Sequence, residues 1–406
     1  MKYVVLVGDG MGDYPMAELE GRTPLAVART PHMDRVADNG EMGTVRTLPE
    51  GCETGSDTAN LSLMGYDPRE VRTRRGPLEA ASLGVSLEPN DVAFRCNLVT
   101  LIGKNSERRM GDYSAGHISD AESGRIMRDI DEALGNDTFR FYPGVGYRHL
   151  MVWKGGDAAV ETTPPHDITG EPVRPYLEKM NSKGPLLDVM NAAGPILENH
   201  PVNRQRRENG LSPANAIWLW GQGCPPEITS FKEKTGLRGA IISAVDLLRG
   251  IGVYAGLEVI RVPGATGYFD TDYAAKARYA LEAVKDVDLV YVHVEAPDEA
   301  GHAGLLDEKI QAIESFDAKV VGNVLKGLEA LPAYRVLVTT DHNTPLSVRT
   351  HTREPVPFAI YGTGIPKPSS GHASGFSEES ARERSLEISE GYRLMAHFLR
   401  SETGAA

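Results

Sequence analysis

Leu289-Val-Tyr-Val-His-Val294 is a short apolar run with several β-branched residues, closed off by Ala296-Pro297. It fits a strand buried on both faces of a parallel sheet. Parallel strands need a crossover between them, usually a helix, so this run commits its part of the chain to strand–helix alternation. Asp298 and His302 come next, four residues apart. On a helix that begins just after the strand, that spacing sets carboxylate and imidazole on one face. Together they make half of a metal site. The alternative is a capping Asp298 and a surface His302, since Asp is common at helix starts.

Two more expected strands end in the same kind of chemistry. Residues 3–7 are followed at once by Gly8-Asp-Gly-Met-Gly-Asp13. These glycines lack the GxGxxG spacing of a dinucleotide loop, and Asp9 and Asp13 would repel a pyrophosphate. An Asp at the carboxyl end of the first strand suits a cation better. Residues 335–340 read as a strand ending in Asp341-His342, with His351 nine residues further on. Ser56 follows Gly55 and precedes a helix-like stretch, Asp57-Thr-Ala-Asn-Leu-Ser-Leu-Met64. It is either an N-cap serine or a nucleophile whose phosphorylated form the free N–H groups and the helix dipole would favour.

Asp9, Ser56, Asp298, His302, Asp341, His342 and His351 nearly all follow expected parallel strands, where an open α/β sheet gathers its ligands. These oxygen and nitrogen donors divide into two sites for a pair of divalent cations ~3.5–4 Å apart. Carboxylate and imidazole without thiolate favour manganese, zinc or magnesium-like ions over copper or iron–sulfur clusters.

Composition narrows the partners. A net charge of −13 argues against nucleic acid, which demands a basic face. It also means that a phosphorylated substrate must be drawn by local cations, either bound metals or clustered arginines. No apolar run approaches the ~20 residues that span a bilayer, so no membrane partner is expected. The first apolar run is too short for a secretory signal. Cys52, Cys96 and Cys224 are an odd, scattered set without a CxxC, so a reducing cytoplasm is the expected location.

A chain of 406 residues should form two domains. From about residue 83 to 203 the texture changes: strands at 91–102 and 147–153 and a surface helix at 121–134 mix without regular alternation. That pattern, closed by a Pro/Gly-rich tract at 170–195, predicts an inserted α+β domain over 83–207, within a core of 1–82 and 208–406. Arg95, Arg148, Arg174, Arg204 and Arg207 concentrate there. Singly each is a solvated surface residue; as a group they could grip phosphate and carboxylate in bidentate fashion. Alternation resumes with strands at 216–220, 239–243 and 258–262, helices at 272–284 and 308–331, and a last strand at 358–361.

At Val7-Gly-Asp-Gly-Met-Gly-Asp13, Gly55-Ser-Asp-Thr-Ala-Asn60, Pro263-Gly-Ala-Thr-Gly267, Pro297-Asp-Glu-Ala-Gly-His302, Thr340-Asp-His342 and His351-Thr352 the chain resembles one family nearly end to end. It is that of the cofactor-independent phosphoglycerate mutases, archaeal-type branch, within the alkaline phosphatase superfamily. The resemblance implies a mainly parallel sheet flanked by helices, with the inserted domain closing over the metals and carrying the substrate-gripping arginines. It implies that Asp9, Ser56, Asp341 and His342 hold one cation, and Asp298, His302 and His351 the other. Ser56 would become phosphorylated while 3-phosphoglycerate and 2-phosphoglycerate interconvert. The ions expected are divalent, manganese first, with zinc, cobalt or magnesium as alternatives, and no 2,3-bisphosphoglycerate. Self-association of the chain is left open.

The chain departs from the longer bacterial-type mutases in three ways. Its insertion is shorter, Asp57 replaces a Glu, and Asn343 stands where Gly is usual. The bacterial-type acid/base residues have no obvious counterparts, and His166, in Pro165-His166-Asp167, is the local candidate for that role. The same metal core would also serve a homoserine kinase-like phosphotransferase or a metal-dependent phosphatase.

Overall fold

The computed structural model describes residues 1–104, 107–181, 185–368 and 374–400. Ser182, Lys183 and Gly184 of the Pro/Gly-rich tract lie outside the described residues. The strands run, in chain order, β1 (Lys2–Gly8), β2 (Glu41–Val45), β3 (Val92–Ile102), β4 (Arg109–Asp112), β5 (Phe139–Val145), β6 (Arg148–Trp153), β7 (Ala216–Gly223), β8 (Gly239–Ile242), β9 (Glu258–Val259), β10 (Leu289–Val294), β11 (Tyr334–Thr339), β12 (Val356–Gly362) and β13 (Glu387–Ile388). Two units form: Met1–Arg72 together with the chain from Glu227 on, and Thr73–Pro226.

The first unit is the expected α/β core. Its sheet has the order β13-β2-β12-β11-β1-β10-β8-β9. β1 lies between β10 and β11, parallel to both, with Val7 level with His293 on one side and Thr339 on the other. That register is what positions the site, because the segments leaving three adjacent strands emerge at one rim. Val4, Val5, Leu6 and Val7 are wholly buried, as are the apolar residues of Val290–Val294. Continuous apolar strands of this kind belong in a sheet covered on both faces. β12 runs antiparallel to both β11 and β2, and β13 pairs parallel with β2 at that edge.

The second unit is an antiparallel sheet in which β3 pairs with β6, β4 and β7, and β6 with β5. It extends beyond the 83–207 expected from sequence. Residues 216–220 belong by sequence to the resumed alternation of the core, but as β7 they pair with β3 from Ala93 to Val99. The alternation of large apolar groups around Trp218 and Trp220 specifies a strand, not its neighbour. The helix Arg75–Leu83 joins the same unit, with Gly76 so near β3 that a Cβ would collide with the Ala93 carbonyl oxygen.

Proline divides one helical region. The region 23–39 forms Pro24–Val27 and Pro31–Asn39, since Pro31 pushes Thr30 out of helical geometry, to φ −125°. Among the described residues no helix is long and apolar enough to cross a membrane.

Candidate metal centre

Three loops at the rim of the first unit's sheet carry the acids and imidazoles. Asp9 follows β1, and Gly10 beside it has φ +61°; a Cβ there would fall 2.8 Å from the Asp298 Cα. Glycine is therefore needed for this loop to approach the next one. After β10, the helix Ala296–Ala303 presents Asp298 and His302. After β11 come Asp341 and His342, with His351 further along.

The loops are tied to one another. Asp341 Oδ1 accepts from Gly10 N at 3.1 Å. Fully buried Lys309 donates to Gly12 O, Asp13 Oδ2 and Thr344 O at 3.1, 2.7 and 2.9 Å. Asp13 is thus occupied as a structural anchor. Gly301 brings its helix onto the third loop, where a Cβ would collide with the Thr344 carbonyl oxygen. Gly301→Ala is expected to cost roughly 1–3 kcal/mol through overpacking. Thermal denaturation checks it, and an unchanged Tm would show that the loop simply gives way.

Ser56 is the first residue of the helix Ser56–Leu63, and the N-cap is Gly55. The serine therefore does not cap the helix. Its Oγ lies 3.0 Å from His342 Nε2. Asn60, one turn on, donates to the Ser56 carbonyl at 2.7 Å and to Asp341 Oδ2 at 2.8 Å, and buried Tyr291 donates to Asn60 Oδ1. The residue that starts the helix is so fixed against the loop after β11.

The imidazole tautomers follow from their partners. His302 Nδ1 lies 3.0 Å from the Arg349 carbonyl and His351 Nδ1 3.1 Å from the Thr54 carbonyl, so each donates there. Their Nε2 atoms are left facing each other at 3.0 Å, with Asp298 Oδ2 3.2 Å from His302 Nε2 and Asp298 Oδ1 3.5 Å from His351 Nε2. Two lone pairs that close repel unless a proton or a cation lies between them. His342 Nδ1 donates to Thr344 Oγ1 at 3.2 Å, since that hydroxyl gives its own hydrogen to Asp298 Oδ1. His342 Nε2 therefore accepts from Ser56. Metal-binding histidines hold their second nitrogen in this way.

The electrostatics of the cluster agree. Burial, then the Asp341 and Asp298 carboxylates, hold the Asp9 carboxyl well above its usual range. Burial also opposes ionisation of Asp341 and Asp298, but the surrounding imidazoles outweigh it and both fall below that range. The hydrogen bond to Asp298 lifts His302 to about 9 against the effect of burial. Acids this crowded and buried must share protons or hold cations. Asp9 Oδ1 and both ring nitrogens of His293 are buried without a hydrogen-bond partner. The donor atoms of Asp298, His342 and His351 lie within 4.8 Å of one another, as do those of Asp9, His293 and Asp341. The residues fit two divalent cations.

Asp9, Ser56, Asp298, His302, Asp341, His342 and His351 thus come together in one place. Sequence reasoning missed His293 and Asn60. A histidine inside an otherwise apolar strand was the signal for the first, and helical spacing from Ser56 the signal for the second.

The arginines named from sequence do not form one group. Arg95 is buried on β3, its guanidinium 4.9 Å from the Trp220 ring centre and its Nε 3.2 Å from Glu79 Oε1. Arg75, overlooked in the sequence, lies over the same indole at 5.7 Å. The His166 ring stands roughly perpendicular to that indole with centres 5.4 Å apart, and Arg148 lies over Tyr147 at 5.6 Å. Burial lowers the His166 pKa; Asp167 opposes this, and Arg75 and Arg95 add to it. Arg174 instead pairs with Glu178 at 2.6 Å, Arg207 pairs with Glu198 at 2.9 Å, and Arg204 is exposed on the helix Pro201–Glu208.

The family model of the 2,3-bisphosphoglycerate-independent phosphoglycerate mutases matches residues 37–203. A relative from Geobacter sulfurreducens, named a probable 2,3-bisphosphoglycerate-independent phosphoglycerate mutase, is 55% identical over 98% of this chain and 100% of its own. A Methanosarcina barkeri relative with that name, unqualified, is 51% identical over 95% of this chain and 96% of its own. Among solved structures, the cofactor-independent phosphoglycerate mutase from Thermoplasma acidophilum superposes with a TM-score of 0.65 at 28% identity, covering 98% of this chain and 99% of the other.

Proposed function

The chain belongs to the 2,3-bisphosphoglycerate-independent phosphoglycerate mutases, isomerases that act on a small phosphorylated substrate, and on that premise we propose that Ser56 carries the phosphoryl group between the 3- and 2-positions of glycerate. The observation that carries this reading is the Ser56 Oγ 3.0 Å from His342 Nε2, the ring nitrogen that the Thr344 bond at Nδ1 leaves available to a cation.

Asp9, Asp341, His342 and Ser56 would hold one divalent cation and Asp298, His302 and His351 the other, manganese being the first candidate. When bound, such ions lower the pKa of the serine hydroxyl and offset charge on the phosphoryl oxygens. Ser56 Oγ attacks phosphorus in line, its O–P bond forming as the bond to the 3-oxygen of the substrate breaks. The first-turn N–H groups of the helix Ser56–Leu63 favour the resulting phosphoserine. Glycerate is retained, and its 2-hydroxyl takes the group back, which frees Ser56. His166, whose lowered pKa leaves it neutral near pH 7, is the proposed acceptor of the 2-hydroxyl proton. Arg75, Arg95 and Arg148 are the proposed cations for the substrate carboxylate. The expected location is the cytoplasm, with no bisphosphoglycerate required.

Phosphorus NMR of manganese-loaded protein mixed with 3-phosphoglycerate tests this reading. The 2-phosphoglycerate signal should grow without 2,3-bisphosphoglycerate present. Growth of inorganic phosphate instead would make the outcome hydrolysis. Silence with 3-phosphoglycerate but phosphohomoserine from ATP and homoserine would make it a kinase.

A further inference from the structure

We propose that His293 is a direct ligand of the cation held by Asp9 and Asp341, presented to it by a buried Lys276–Glu295 pair. This rests on the two-cation reading and adds to it a donor that the family resemblance does not include. His293 sits at the rim end of β10, level with Val7, and is wholly buried. Its Nε2 lies 3.3 Å from Asp9 Oδ2 and 3.7 Å from Asp341 Oδ2. Neither ring nitrogen makes a hydrogen bond, nor does Asp9 Oδ1. A buried polar atom left without a partner is costly, and His293 Nε2 and Asp9 Oδ1 are two such atoms on the side of the ring that faces the carboxylates.

The other side of the ring explains its orientation. Glu295 Oε1 lies 3.4 Å from His293 Nδ1 and is fixed by Ser243 Oγ at 3.0 Å and Ala244 N at 2.6 Å. Lys276 Nζ, also wholly buried, meets Glu295 Oε2 at 2.5 Å and the His293 carbonyl at 2.9 Å. The lysine balances the charge of Glu295, so this glutamate adds no net charge to the acids already gathered at the rim. A carboxylate set toward Nδ1 favours the tautomer with its proton there, and the Nε2 lone pair is then aimed at Asp9 and Asp341. Two carboxylates and a neutral imidazole suit a divalent cation. Asp9 is so placed between two rings, since its Oδ1 lies 3.4 Å from His342 Nε2.

The alternative is that Nε2 carries a hydrogen and merely steadies Asp9. Anomalous diffraction from zinc-loaded wild-type crystals separates the two without a mutation. Zinc at Asp9 and Asp341 within about 2.0–2.1 Å of His293 Nε2 supports the proposal. Zinc bound by both carboxylates with Nε2 beyond about 3 Å, a hydrogen-bonding rather than a coordinating distance, overturns it and leaves the two-cation reading standing. Absence of zinc from Asp9 and Asp341 overturns that reading as well. In solution, calorimetric titration of His293→Gln with zinc should show one site weakened by about 10–100-fold or more. The Asp298, His302 and His351 site should be unchanged. Two sites of wild-type affinity in a variant with wild-type circular dichroism would also overturn the assignment. If the variant does not fold, the wild-type diffraction decides.

Discussion

Ser56→Ala should reduce interconversion of 3-phosphoglycerate and 2-phosphoglycerate by about 10⁴-fold or more, the scale on which deletion of an attacking group acts elsewhere. The change is small structurally. Ser56 is not the N-cap, Gly55 is, so no capping bond is lost. Alanine is at least as good a helix former. His342 keeps its Nδ1 bond to Thr344, and Asn60 still reaches the residue 56 carbonyl and Asp341. The one bond lost is that of Ser56 Oγ to the buried His342 Nε2, so stability should fall by about 1–3 kcal/mol. Loss of turnover with no more than that drop in stability would place the effect in chemistry. A matching experiment is acid-quenching the wild type during turnover and mapping the phosphopeptide, which should carry its phosphate on Ser56. Full turnover in the variant, or phosphate on another residue, would end the covalent route.

The rim of the sheet was legible because parallel strands are buried on both faces and so are written as continuous apolar runs. The residues just after each run must emerge at the carboxyl end of its strand. Asp9, Asp298 and Asp341 could be assigned to one place on that ground alone. What the sequence hid was identity within the runs and pairing between strands far apart in the chain. His293 occupies a strand position that reads as core, and only the register with Val7 puts it beside Asp9. β7 reads as one more alternating strand, and its partner β3 is more than a hundred residues away. The arginines were least legible, because a long side chain finds its partner through tertiary geometry. In the run Arg204-Gln-Arg-Arg207, the buried member is Arg206, which bonds to Ser212 O, Glu122 and Ala115 O and so serves the scaffold. Arg75, which no spacing distinguished, lies instead with Arg95 over Trp220.

Exhaustive chelation should take activity to background and lower the Tm by several degrees, and divalent manganese, cobalt or zinc should restore both. Asp9, Asp298 and Asp341 are all buried and gathered at one rim, and the Asp9 carboxyl is held well above its usual range by burial and by the other two. An arrangement of this kind is unfavourable by itself, since each acid raises the cost of ionising the next. The imidazole Nε2 atoms of His302 and His351, 3.0 Å apart, add a second repulsion. Cations between these groups convert both repulsions into attraction, and they do so only in the folded chain, where the loops after β1, β10 and β11 meet. Binding to the folded state alone stabilises by about 4 kcal/mol when free metal is a thousand times Kd. At about 2 °C per kcal/mol for a large chain, that is a readily measured shift. A rival view, that the cluster is only a hydrogen-bonded brace sharing protons, predicts the reverse: chelation would leave the Tm where it was, and the Nε2 pair would be joined by a proton. If chelated protein, shown by elemental analysis to be free of metal, kept its Tm and its turnover, that rival view would stand. The Ser56 hydroxyl would then have only the His342 ring to draw off its proton.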